Sequence, residues 1–199
     1  MLMTEKPKAA RTRGFTLVEV LVTVFLIGTL AAVVVPTVRG RLREGYSSAL
    51  ILELDNLASA ITAYRQNVGE YPPQLDYLNA LPTGSAAVDL CGNALSTNQK
   101  NNYRGPYIAR PITADYKFGS SDALVNDALT VVRGGATYSG GPSADFLQVL
   151  VDGVDSLTAK DLDTRIDGVT DQNFGTIKWA AQGFLTGIRY QIQIKPGAC

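Results

Sequence analysis

Residues 15–38, FTLVEVLVTVFLIGTLAAVVVPTV, form a run of 24 residues in which Glu19 is the only charged side chain. As a helix this run spans roughly 36 Å at about 1.5 Å per residue, enough to cross a bilayer core. A segment like this has to be covered by lipid or by other apolar helices. The residues before it are basic: Lys6, Lys8, Arg11 and Arg13 stand against Glu5 alone. That bias holds the N-terminus in the cytoplasm and sends the rest of the chain across, although Arg39, Arg41 and Arg43 after the run work against it. Three readings compete. A secretory signal peptide has a shorter apolar region, about 7–15 residues, ending at a small-x-small cleavage site. A plain N-terminal anchor gives no role to Glu19. The third reading places a processing site ahead of the apolar run, at Gly14–Phe15.

The residues favour the third. The stretch Arg13-Gly14-Phe15-Thr16-Leu17-Val18-Glu19-Val20 resembles the prepilin-type cleavage and methylation signal of the type IV pilin and type II secretion pseudopilin superfamily. The resemblance implies a prepilin peptidase that cuts after Gly14 and N-methylates Phe15. It also implies that Glu19 of an incoming subunit pairs with the Phe15 amine of a subunit already in the filament, which sets the axial register. A lone carboxylate in a membrane helix costs about 2.5–3.5 kcal/mol on insertion scales, and such a pair would cancel part of two buried charges. Taken alone, Glu19 lies near enough to the start of the span to snorkel to the interface. Gly28 and Pro36 fall where many family members carry Gly and Pro. Filaments of the family lose helix between those positions, so the resemblance implies flexibility over 28–36.

Helical periodicity continues beyond Pro36. Leu42, Tyr46, Leu50, Leu54, Leu57, Ile61, Tyr64 and Val68 recur at steps of three and four, with Glu53, Asp55, Asn56, Thr62 and Arg65 on the other faces. Gly69, Pro72 and Pro73 predict the end of the helix. Phe15 to Val68 would be roughly 80 Å long if continuous. The other reading is two helices broken at Pro36 or at Gly40–Gly45. Pro36 cannot donate to the Ala32 carbonyl and predicts a kink. The helix end, with Tyr64, Gly69 and Tyr71-Pro72, is similar to that of the major type II secretion pseudopilins.

Beyond residue 73 the chain changes character. Gly, Pro, Asn and Ser crowd residues 74–145, which predicts loops and short strands. Tyr103–Ile108 is read as a turn leading into a strand, and Phe146–Val151 as a buried strand. In residues 187–194, Ile188, Tyr190, Ile192 and Ile194 alternate with Arg189, Gln191 and Gln193, the mark of a half-buried strand. The expected fold class is therefore α+β. A long N-terminal helix, membrane-spanning in its first half and amphipathic in its second, packs on a small antiparallel sheet, the pilin fold. The expected segments are a cleaved leader (1–14), a transmembrane or filament-core helix (15–38), its amphipathic continuation (39–73) and a globular head (74–199).

Cys91 and Cys199 are the only cysteines. The topology puts both outside the cytoplasm, where disulfides persist. The family often secures a C-terminal loop with such a bridge, and two free thiols are the alternative. Residues 152–173 contain six Asp. Asp163, Asp167, Asp171 and Asn173 are the candidate calcium ligands, because a hard cation needs converging oxygens and some major pseudopilins hold calcium in a late loop. The spacing fits no EF-hand. The alternative is helix capping and a solvated acidic face.

Composition excludes several function classes. With no His, there are no His-based triads, His-containing zinc sites or imidazole acid–base catalysis. No GxSxG, P-loop or GxGxxG motif occurs. The expectation is a structural subunit, not an enzyme, that needs no certain cofactor and shows no sign of direct nucleic-acid binding. The resemblance implies as partners prepilin peptidase, identical or related pilin subunits, an inner-membrane assembly platform with its ATPase, and membrane lipid before assembly. It implies an inner-membrane protein with an extracytoplasmic head that then enters a periplasmic or cell-surface filament of a bacterium. A type II secretion pseudopilus and a type IV pilus both fit. The alternatives are a minor tip pilin or a membrane-anchored binding module. The balanced charge, 18 basic against 18 acidic residues, is a cancellation: without the leader's four basic residues and one acid, 14 stand against 17.

Overall fold

The computed structural model describes residues 14–112, 124–125, 129–136, 143–182 and 185–194. The chain divides into two units, residues 1–42 and 43–199. In the first unit helix α1 (Leu17–Val68) begins, and its assignment passes through Pro36 without a break. Every large apolar side chain from Phe15 to Val38 is exposed, between 46 and 82 % of its full area. This stretch has no core of its own.

In the second unit the same helix is striped. Leu50, Leu54, Leu57, Ala60, Ile61, Tyr64 and Val68 are buried, whereas Asp55, Asn56 and Thr62 face outward. The predicted stripe is present from Leu50 onward. Leu42, at its start, is exposed and Tyr46 only half-buried. The helix stops where Gly69 takes a positive φ of 92°, with Gly69 N donating to Arg65 O. That left-handed cap is cheap only for glycine.

The remaining elements are two short 3-10 helices (Leu75–Leu78 and Gly84–Ala86), helix α2 (Thr97–Asn101), strands β1 (Leu124–Val125), β2 (Thr130–Ala136) and β3 (Ser143–Asp155), helix α3 (Ser156–Asp167), and strands β4 (Ile177–Gln182) and β5 (Leu185–Ile194). All described pairings are antiparallel. The order is β1-β3-β5-β4, with β2 also pairing with β3. Phe146–Val151 lies inside β3, and Val149 faces Tyr190 across the ladder. The alternation predicted for 187–194 holds for Ile188, Tyr190 and Ile194, which are buried, and for Arg189 and Gln193, which are exposed. Gln191 departs from it: only 4 % of the residue is exposed. The core joins the α1 stripe to Leu147, Val149, Val151, Ile177, Trp179 and Ile188 from the sheet and Leu162 from α3.

Tyr103–Ile108 contains no strand. It is an irregular segment with a cis Gly105–Pro106 bond, anchored by Tyr107 N donating to Leu78 O at 2.7 Å. Its rings override local strand propensity. Tyr64, Tyr103 and Tyr107 meet edge-to-face with centroids 5.3 to 6.2 Å apart, the arrangement that ring quadrupoles favour. The Tyr107 hydroxyl accepts from Asn67 Nδ2 and from Arg104 N.

Tyr190 links sheet to helix through a hydrogen bond with Asp55. Burial first, and then the Asp55 charge, push its phenol from 10.0 up to about 12. The folded head favours the neutral phenol, so this contribution is whole below pH 10 and is lost as pH rises toward about 12. Tyr190→Phe is therefore expected to make the alkaline loss of stability shallower across that window, measured by denaturant unfolding at stepped pH. In the α1 stripe, Ile61→Ala is expected to cost about 2–5 kcal/mol. Leu52, exposed on the same helix, should cost about 0.5 kcal/mol or less when changed to Ala. Chemical denaturation of the detergent-solubilised chain measures both.

Candidate assembly site and the acidic turn

The N-terminal elements are built from local chemistry. Gly14, Phe15 and Thr16 are not helical. Thr16 caps α1: its Oγ1 accepts from Glu19 N at 3.2 Å and its carbonyl from Val20 N at 3.2 Å. A Thr cap satisfies a helix-end amide that lipid cannot. The Gly14–Phe15 bond thus precedes the first helical turn, and Phe15 is 82 % exposed. Glu19 lies in that first turn, where the positive end of the helix dipole favours a carboxylate. Gly28 has open space around it, and Pro36 stands within the helix. The leader, residues 1–13, lies outside the described residues.

Cys91 sits on an exposed turn. Asp89 Oδ1 accepts from Cys91 N and Asn93 N, both at 2.8 Å, and Val88 and Ala94 form a bridge across the turn. Cys199 lies outside the described residues, and so does the pairing expected of it.

The acidic region is ordered by carboxylate–amide contacts. Asp155 caps α3 by accepting from Leu157 N at 3.1 Å and Thr158 N at 3.0 Å. Asp163 is fully buried. Its Oδ2 accepts from Trp179 Nε1 at 3.1 Å and from Asp171 N at 2.9 Å. Burial pushes the Asp163 carboxyl up; those two donors pull it down, and Asp167 and Asp171 raise it again. Asp167 Oδ1 accepts from Thr176 N and its Oδ2 from Ile177 N, both at 2.9 Å. Asp171 Oδ1 accepts from Asn173 N at 3.0 Å. Asp163 and Asp167, four residues apart, share one face of α3, but each reaches a different stretch of chain. No group of three or more His, Cys, Asp or Glu side chains suited to a metal is found among the described residues. As placed, the four candidate ligands do not make a cation cage.

The partners of these carboxylates were not legible in sequence. Nothing in the spacing ties the Trp179 indole to Asp163. The one available signal is the Asp167-Gly168 pair at a helix end.

A family model, the prokaryotic N-terminal methylation motif, matches residues 9–35. The type II secretion system core protein G of Vibrio cholerae is 30 % identical over 145 residues, 70 % of this chain and 92 % of that protein. The core protein G of Pseudomonas aeruginosa is 32 % identical over 132 residues, 58 % of this chain and 90 % of that protein. A fimbrial protein of Neisseria meningitidis is 37 % identical over 60 residues, 30 % of this chain and 35 % of that protein. No solved structure matches. A methylation motif ahead of a bare apolar helix, an α+β head, and likeness over nine-tenths of two relatives together show that the chain is a pilin-like filament subunit belonging to the type II secretion core protein G family, the pseudopilins.

Proposed function

We propose that this chain is a repeating subunit of a type II secretion pseudopilus, processed between Gly14 and Phe15 and assembled from the inner membrane into the periplasm. The observation that carries the reading is the exposure of every large apolar side chain from Phe15 to Val38 behind a processing motif that retains Glu19. Burying one Leu- or Val-sized side chain is worth about 1.5–3 kcal/mol. A bundle of such helices therefore supplies ample driving force, first in lipid and then in the filament core. The core protein G likenesses extend into the head, whereas the fimbrial likeness covers 60 residues. That contrast favours the pseudopilus over a surface pilus.

In this reading prepilin peptidase cleaves after Gly14 and methylates Phe15. The new N-terminal ammonium donates to the Glu19 carboxylate of the next subunit, which desolvates both charges together and fixes the axial step. Gly28 and Pro36 bracket a stretch that loses helix in the assembled fibre. An inner-membrane platform and its separate ATPase supply the work, and this chain has no catalytic role. A Cys91–Cys199 bridge closes the C-terminus onto the head. In the chain-entropy account, a loop of about a hundred residues contributes about 4.7 kcal/mol.

Three measurements test the reading. Intact mass of the membrane-extracted protein is expected to show a chain that starts at N-methyl-Phe15; an unprocessed chain, or one cut after the apolar run, would contradict it. Glu19→Ala is expected to be cleaved normally yet to yield little sheared, sedimentable filament. Filaments at the wild-type level would remove Glu19 from assembly. Alkylation of the unreduced protein is expected to add no label, and two added labels would mean there is no bridge.

A further inference from the structure

The turn between α3 and β4 is where a cation would be sought, and both Asp167 oxygens and Asp163 Oδ2 are already spent on N–H donors, which leaves Asp163 Oδ1 as the buried carboxylate oxygen without a partner. We infer that this turn is closed by a carboxylate–amide clamp, in which Asp163 and Asp167 hold the loop with the protein's own N–H donors, and that the head folds without calcium. The inference goes beyond the filament reading and does not depend on it.

The clamp has two jaws. Asp167, the last residue of α3, places both oxygens on consecutive amides at the entry to β4, Thr176 N and Ile177 N, each at 2.9 Å. One side chain thereby satisfies two backbone donors at a strand end, as an N-cap does for a helix. Asp163, one turn earlier and fully buried, accepts Asp171 N from the middle of the loop and Trp179 Nε1 from β4. Helix end, loop and strand are thus tied at both ends of the turn. Trp179 N donates to Gln172 O at 3.1 Å, which draws the loop against β4.

The glycines fit the same closure. Gly168 follows α3 with a φ of 76°, and its N donates to Thr164 O. Gly175 has a φ of 100°, and a Cβ there would lie 2.5 Å from Asp167 Oδ2. The Asp167 carboxylate therefore packs directly on the Gly175 backbone. A calcium ion takes six to eight oxygens and would have to pull both Asp167 oxygens off their amides. Those amides would then be left without acceptors, at the cost of buried unpaired donors. Asp171 and Asn173 are joined to each other by Asn173 N donating to Asp171 Oδ1 at 3.0 Å, an Asx-type turn that shapes the loop without a metal.

The test is thermal unfolding of the full mature chain in detergent, in calcium chloride and separately in EGTA, with calorimetric titration of calcium chloride into the chelator-treated protein. The expected result is the same midpoint in both conditions and no saturable heat. Asp167→Ala and Gly175→Ala should each lower the midpoint by several degrees, equally with and without calcium. Gly175→Ala removes no carboxylate but crowds the seat of Asp167 and strains a backbone with a φ of 100°. Asp167→Asn, which keeps one acceptor, should fall between the wild type and Asp167→Ala and serves if the Ala variant does not fold. A midpoint that rises with calcium, together with saturable heat that Asp167→Asn abolishes, would overturn the clamp. So would variants that unfold at the wild-type midpoint. A chain that failed to assemble but behaved as predicted here would contradict the filament reading and leave the clamp standing.

Discussion

An apolar helix whose large side chains all stand exposed needs apolar surroundings, and much of this protein follows from that. The large apolar side chains from Phe15 to Val38 are exposed. Water cannot be their lasting surroundings. In the proposed assembly lipid covers them first and neighbouring subunits later, so the helix has to be acceptable to both. The capping of α1 by Thr16 and the placement of Glu19 in its first turn meet the same demand at the helix end, where polar groups must be satisfied before entering a low-dielectric medium.

The same helix carries a second, different surface. From Leu50 to Val68 its apolar residues narrow to one stripe buried in the head, with charged and polar residues on the remaining faces. The sheet supplies the opposing side through Leu147, Val149, Val151 and Ile188. The Tyr190–Asp55 contact and the tyrosine cluster at Tyr64 add directional bonds to that packing. The second half of the helix thus serves folding, and in the proposed assembly its first half serves association.

Helix α1 and the strands at 146–151 and 187–194 were legible in the sequence because their signals are periodic or continuously apolar. Steps of three and four predicted α1 to Val68, Gly69 its end, and strict alternation the strand at 187–194. The processing signal was legible because it is a short local motif next to a compositional boundary. What escaped was set by contacts between distant residues. Tyr103–Ile108 has the composition of a turn and strand, but packing on Tyr64 and a hydrogen bond to Leu78 hold it irregular. Gln191 alternates as a polar residue yet is buried. The four oxygen-bearing residues of the acidic region were legible as a group, but their partners were not. Trp179, Thr176 and Ile177 become donors to Asp163 and Asp167 only once β4 lies beside the end of α3.

The claim that the bare apolar helix is a subunit–subunit surface can be tested directly with a photo-crosslinking amino acid at Leu26, in cells that carry an active secretion system. The account predicts covalent ladders of this chain with itself, lost when Glu19 is changed to Ala. Adducts to lipid alone, with secretion fully active, would contradict it and reduce the helix to a tether.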